Sequence, residues 1–219
     1  EIALDSNQPP EQAGFRKGFS TSHHIQELVA KSSEYQFSLY LVFVDFQRAF
    51  DSVEFPALFG ALHRHAVRAK IISIIQYVYA TSQVSIRFGS TTVPITIGRG
   101  VRQGDCLSPA LFAAVLEEAF SGLGWSNMGV RANGVRLYHL RYADNIVLIT
   151  HSLSEAFRML NELEQASPAS GLTIKRQKSL LMTNHTWCPI LLTGSPTRYV
   201  YLGQRVSFDR KPRTLAQRF

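Results

Sequence analysis

The sequence predicts an α+β fold, an antiparallel sheet backed by helices on one side, and three observations carry the prediction. Residues 39–44 form a nearly unbroken apolar run of β-formers ending at Asp45, the pattern of a buried central strand. Two further apolar runs, 137–142 and 146–150, flank Ala143-Asp144-Asn145, which reads as a tight hairpin with Asp and Asn in its turn. Strand-like and helix-like segments follow one another in irregular order, with no internal repeat.

Residues 1–10 read as an irregular lead-in, because Asn7-Gln8-Pro9-Pro10 disfavours helix and strand. A glycine-punctuated basic loop follows over 12–21, and a Ser20 or Thr21 cap starts a helix carrying Ile25, Leu28 and Val29 on one face. After the strand at 39–44, Asp51 caps or flanks a short turn before Val53. Helices are predicted over 56–65, with Pro56 suited to a first turn, and over 69–79. Segments 84–88 and 92–97 form a hairpin beside the core sheet, whose second strand Pro94 demotes to an edge. The glycine-rich basic loop 98–105 runs into a helix to Phe120, with Ser108 as cap and Pro109 at the first position. Ser152-Leu153-Ser154-Glu155 is a capping box for a helix ending before Pro168 and Gly171, and short strands follow at 172–174, 179–182, 199–202 and 204–208.

The 219 residues are 45% hydrophobic, enough to bury a core, and 23 basic against 16 acidic side chains leave a net charge of +7. The excess gathers at the end: residues 172–219 hold nine Lys or Arg and Asp209 as their one acid. Such a segment suits a polyanion, bound in a salt-sensitive and largely sequence-blind way; a plain solubilising surface is the alternative. Cys106 and Cys188 form no disulfide framework or zinc pattern and read as reduced cysteines of an intracellular protein. No apolar run reaches the roughly eighteen residues that a membrane span needs. Starting at Glu1 and stopping among basic residues, the chain reads as a piece of a longer polypeptide.

Asp45 at the end of a buried strand is costly unless something charged meets it. Carboxylates from separate strands, here Asp45 and Asp144, suit two divalent cations about 3.5–4 Å apart, as nucleotidyl transfer uses. Asn145 stands where a third acid is expected. Each segment also has a local reading, since Asp and Asn favour turns and the 98–105 glycines suit any tight turn before a helix.

Taken in order, the motifs resemble the reverse transcriptase domain of a non-LTR, LINE-like retrotransposon, most similar to the nematode-type members. Residues 12–21 resemble the fingers-side motif and 43–53 the first palm motif. Val101-Arg102-Gln103-Gly104-Asp105-Cys106-Leu107-Ser108-Pro109 resembles the second palm motif, and 139–149, around Tyr142-Ala143-Asp144-Asn145, the metal-binding hairpin. Residues 171–178 resemble the next motif and Tyr201-Leu202-Gly203 the primer-side hairpin. The resemblance implies a right-hand polymerase with its palm at 38–55 and 104–208, partial fingers at 1–37 and 56–103, and 209–219 leading to a thumb absent from this chain. It implies an RNA-directed DNA polymerase that adds dNTPs to a DNA primer on an RNA template. An endonuclease upstream and a thumb downstream in the same polyprotein are its implied partners, and a ribonucleoprotein of cytoplasm and nucleus its implied setting, with no membrane.

The resemblance also distributes roles. Asp45 and Asp144, with the backbone carbonyl of Phe46, would ligate two Mg²⁺ ions, Mn²⁺ being the alternative, and Asn145 completes the catalytic set. Phe50 takes the position that excludes a 2′-hydroxyl, Gln103 and Gly104 contact the nucleotide, and Arg16 and Arg102 lie near its triphosphate or the template. Lys178 lies near the leaving pyrophosphate. The sequence departs from the family pattern at Phe19, His23 and Lys175, and above all at Asn145, where the amide keeps an acceptor oxygen but loses a charge. The competing readings are a catalytically dead or host-retained nucleic-acid-binding module and a metal-dependent phosphohydrolase.

Overall fold

The computed structural model describes residues 21–132, 135–184 and 198–208. The predicted basic loop with Arg16, the 185–188 segment and the basic residues from Arg210 onward lie outside them. Helix α1 (Thr21–Glu34) leads to strand β1 (Tyr40–Val44), followed by α2 (Ala49–Ser52), α3 (Phe55–Arg64) and α4 (Ala69–Ala80). The hairpin β2 (Gln83–Phe88) and β3 (Thr91–Thr96) precedes α5 (Ser108–Ser121), then β4 (Val130–Ala132) and β5 (Val135–Leu137). The hairpin β6 (His139–Tyr142) and β7 (Asn145–Thr150) is followed by α6 (Leu153–Ala166), β8 (Leu180–Thr183), β9 (Arg198–Tyr201) and β10 (Gln204–Ser207).

The central sheet has the order β6-β7-β1-β8, and every pairing in it is antiparallel. Its alternate side chains feed two cores. Val42, Val44, Ile146 and Leu148 pack with the helical layer of α3, α5 and α6, whereas Leu41, Phe43, Val147 and Ile149 pack with Ile25 and Leu28 of α1 and with Tyr201 and Val206 of β9–β10. The expectation of helices on one side is therefore corrected. A strand apolar on both faces needs two covering layers, and the second is α1 plus a hairpin.

Several local expectations are also corrected. Ser108 is not a cap: the residue before α5 is Leu107, whose N–H donates to Asp105 Oδ1 at 3.0 Å, while Ser108 is buried. Burying α5 nearly all round puts its first turn inside the protein, so the cap moves back onto the loop. Ser152 does cap α6, accepting the Glu155 N–H at 3.2 Å, but the Glu155 carboxylate accepts the Gly129 N–H at 3.0 Å and closes no reciprocal box. The apolar run 137–142 is split, its start pairing with β4 and its end with β7. The β2–β3 hairpin forms a two-stranded sheet of its own.

Candidate functional site

The site grows from the end of β1. Asp45 stays in line because its N–H donates to Ser179 Oγ at 3.3 Å and its carbonyl accepts the Lys175 N–H at 2.8 Å. With the Gln47 N–H bonded to the Thr173 carbonyl at 2.8 Å, these contacts bridge Phe46 to Ile174 without using the Phe46 carbonyl. The Lys178 ammonium lies 4.0 Å from Asp45 Oδ2. Both side chains are well exposed, so the pair contributes little stability and leaves the carboxylate available.

Arg48, with φ of 47°, bends the chain into α2. Phe50 then stacks on Phe112 of α5, ring centroids 4.5 Å apart and planes at 12°. The glycine-rich loop is bound to this same segment: the Gly100 N–H donates to Val53 and the Val101 N–H to Phe50, each at 2.7 Å. Gly100 is required there, since with φ of +92° a Cβ would lie 2.9 Å from the Asp51 carbonyl. Gln103 Nε2 donates to Asp51 Oδ1 at 3.1 Å, so Asp51 orients the loop rather than capping a turn. Gly104 also has a positive φ, +84°, with open space around it. Arg102 donates to Ser82 Oγ, and its guanidinium lies 6.0 Å from the Tyr79 ring centroid, anchored at the α4–β2 junction.

The second acid sits in the β6–β7 turn. Tyr142 pairs with Asn145, so the turn is Ala143-Asp144, and Asn145 opens β7. This corrects its expected place: the pairing of the strands, not the turn preference of Asn, decides. Ala143 has φ of 54° and Asp144 no positive φ, the pattern of a II′ hairpin turn that favours glycine first. For alanine such a sparsely populated conformation costs roughly 1–3 kcal/mol. Burial raises the Asp144 carboxyl above its ordinary value, its own backbone hydrogen bond offsets part of this, and the nearby Asp45 charge raises it further. Asn145 Nδ2 lies 3.5 Å from Asp144 Oδ1.

The β1–β7 register ends with Val44 opposite Ile146, so the next step places Asp45 opposite Asn145, on the face of Phe43. There a cleft of about 130 Å³ is lined by Phe43, Val44, Asp45, Asn145, Ile146, Lys178, Tyr199 and Tyr201. The structure thus gathers Asp45, Asn145 and Lys178, with Asp144 adjoining in the turn. Phe50 and Gln103 stand together on α2 and its loop, and Arg102 is held elsewhere. Sequence reasoning missed Ser179 and Tyr199. Arg198-Tyr199-Val200-Tyr201 alternates like any half-buried strand; only its seating beside Phe43 gives it a place here.

The donor set fits a hard divalent cation: carboxylates from two elements, whose charges repel at Asp144, an amide oxygen and a backbone carbonyl, all oxygen. Among the described residues no three His, Cys, Asp or Glu cluster as a metal site, so the acids number two.

Residues 2–206 match the family model for reverse transcriptase (RNA-dependent DNA polymerase). A type-1 retrotransposable element R2 polyprotein of Nasonia vitripennis is 31% identical over 141 residues, covering 64% of this chain and 14% of that polypeptide. An R2 polyprotein of Popillia japonica is 28% identical over 218 residues, covering 89% of this chain and 30% of its own. A transposon-derived protein of Caenorhabditis elegans is 35% identical over 88 residues, covering 36% of this chain and 32% of its own. The chain thus spans under a third of these relatives' lengths. The fold resembles apo telomerase from Candida tropicalis, with a TM-score of 0.68 at 13% identity, over 95% of this chain and 42% of that one. Telomerase from Candida albicans, solved with a telomeric RNA fragment, gives 0.69 at 12% identity, over 94% and 36%. With a family match over nearly the whole length, the chain belongs to the reverse transcriptases, as a domain of the non-LTR retrotransposon type.

Proposed function

We propose that the domain is the palm, 38–55 and 104–208, and part of the fingers of a polymerase that copies RNA into DNA by adding dNTPs to a primer 3′-hydroxyl. The observation that carries this reading is that Asp45 and the 143–145 turn lie side by side at one end of the β1–β7 pair, with the Phe50 and Gln103 loop built directly onto the segment after Asp45. Asp45, Asp144 and the Phe46 carbonyl are the residues to hold divalent cations, Mg²⁺ first and Mn²⁺ as the alternative. Such ions would activate the attacking hydroxyl and steady the leaving phosphate.

The chain's own residues supply the rest. Asn145 offers an oxygen acceptor and donates toward Asp144, keeping the shape of the missing acid without its charge. Lys178 brings positive charge to the Asp45 side, where it can offset charge developing on pyrophosphate. Phe50, fixed by its stack on Phe112, presents a rigid ring that would collide with a 2′-hydroxyl. Gln103 and Gly104 offer donors and close backbone approach to the nucleotide, and Arg102 and Arg16 supply cationic charge farther out. The basic excess supports a template–primer partner, handled inside the cell as a ribonucleoprotein together with endonuclease and thumb regions of a longer polyprotein.

Primer extension on a primed RNA template with Mg²⁺ tests the reading. Asp45→Ala should abolish nucleotide addition while leaving RNA binding within about twofold. Unchanged addition would refute the site. The amide in place of a third acid favours one second reading, a module that binds nucleic acid without polymerising. That reading gives salt-sensitive RNA binding with no extension under either metal.

A further inference from the structure

The β9–β10 hairpin forms no ladder with the central sheet; it is a separate two-stranded unit seated by its side chains. Tyr201 and Val206 are buried beneath it, and Gln26 Nε2 donates to Gln204 Oε1 at 3.2 Å. Tyr201 does more than pack. Its ring centroid lies 5.3 Å from that of Phe43, two residues before Asp45 on the same face of β1. Its hydroxyl donates to the backbone carbonyl of Asn145 at 3.2 Å, at the first residue of β7 after the acid-bearing turn. One side chain therefore touches both strands that carry the site, β1 with its ring and β7 with its hydroxyl.

The turn it grips needs holding. Ala143 is kept at φ of 54°, a conformation alanine avoids unless its surroundings impose it. A buried tyrosine hydroxyl also needs a partner, and here that partner is the carbonyl next to the turn. We infer that Tyr201 is a positioning residue that fixes the Ala143-Asp144 turn relative to Asp45 by tying it to the β9–β10 hairpin. Its consequence for catalysis rests on the polymerase reading; the tie itself does not.

Tyr201→Phe keeps the ring and removes the tie. Hydrogen exchange on this chain, read by mass spectrometry over 142–147, should accelerate roughly fivefold, the factor of one ordinary neutral hydrogen bond. Peptides from α1 and α6 should be unchanged, with Tm within about 2 °C. In primer extension kcat should fall roughly five- to tenfold with KM for dNTP within about twofold, since positioning affects the transition state more than binding. Tyr201→Leu, which also removes the ring, should instead loosen all of β9–β10. The inference is overturned if Tyr201→Phe leaves turn exchange unchanged, if exchange rises equally in α1 and β9–β10, or if kcat holds while the turn loosens. Faster turn exchange with no extension by either protein supports the tie, and no extension by Asn145→Asp as well then refutes the polymerase reading instead.

Discussion

Asn145 faces Asp45 across the sheet and donates toward Asp144, so one side chain substitutes a weak hydrogen bond for the repulsion of a third carboxylate. On the proposed reading Phe50 would act through shape alone, and its stack on Phe112 makes two effects separable. Phe50→Ala should raise ribonucleotide incorporation relative to dNTPs by roughly 10–200-fold, the range for one steric contact, as measured by competing the two nucleotides. It should also cost about 2–3 kcal/mol in chemical denaturation, below the full-burial value because the residue is only partly buried. His139 is a buried group whose titration should affect stability. It is buried against Phe120 with both ring nitrogens unpartnered among the described residues, and burial, then the Arg141 charge, hold its pKa well below 6.5. The unfolded chain binds that proton more readily, so the stabilisation is complete above pH about 6.5 and is lost as pH falls toward the folded value. Thermal melts of His139→Phe should be flatter between pH about 6.5 and 5 than those of the parent, with equal or higher Tm at pH 7; an unchanged slope would remove His139 as the cause.

At the scale of elements, the β6–β7 hairpin and the α6 cap show how local chemistry and long-range packing divide the work. Ser152→Ala should cost about 1 kcal/mol in denaturant unfolding, the usual value of an N-cap. Gly171→Ala should cost more, because at φ of +80° a Cβ would also run into the Ser52 carbonyl, where the chain after α6 meets α2. Strand β1, helices α3 to α6 and the acid-bearing turn could be read from the sequence because each carries its own signal: an apolar run ended by an acid, a 3.6-residue period, a cap. Asn145 was misplaced by one residue because Asn satisfies turn preference and strand start equally well, and only pairing with Tyr142 decides. Strands β4 and β5 escaped because three residues each, centred on Arg131 and Arg136, show no period. Tyr199 and Ser179 carry no local mark of function, and Tyr201, legible as part of a hairpin motif, carries none of its contact with β1 and β7. Their role depends on a chain return of more than 130 residues to Phe43 and Asp45.

Across the whole molecule, two cores on opposite faces of one sheet hold a cleft lined by Asp45 and Asn145, which come from segments about a hundred residues apart, with Asp144 in the adjoining turn. Register between β1 and β7 brings the end of β1 beside the acid-bearing turn, and Tyr201 ties the first residue after that turn to the β9–β10 hairpin. The charge of +7, gathered toward the end of the chain, acts at longer range. If about four phosphates are neutralised on a single strand, affinity for RNA should fall roughly fiftyfold between about 50 and 200 mM salt, read by fluorescence anisotropy. A flat salt response would argue against a nucleic-acid partner. The central claim is that Asp45 and Asp144 form a polymerase site weakened by the amide at 145, and primer extension by Asn145→Asp beside the parent chain tests it most directly. Restoring the charge should raise kcat on the order of 10²-fold, in line with one electrostatic group at a reacting centre. A variant no faster than its parent, or slower, would contradict it.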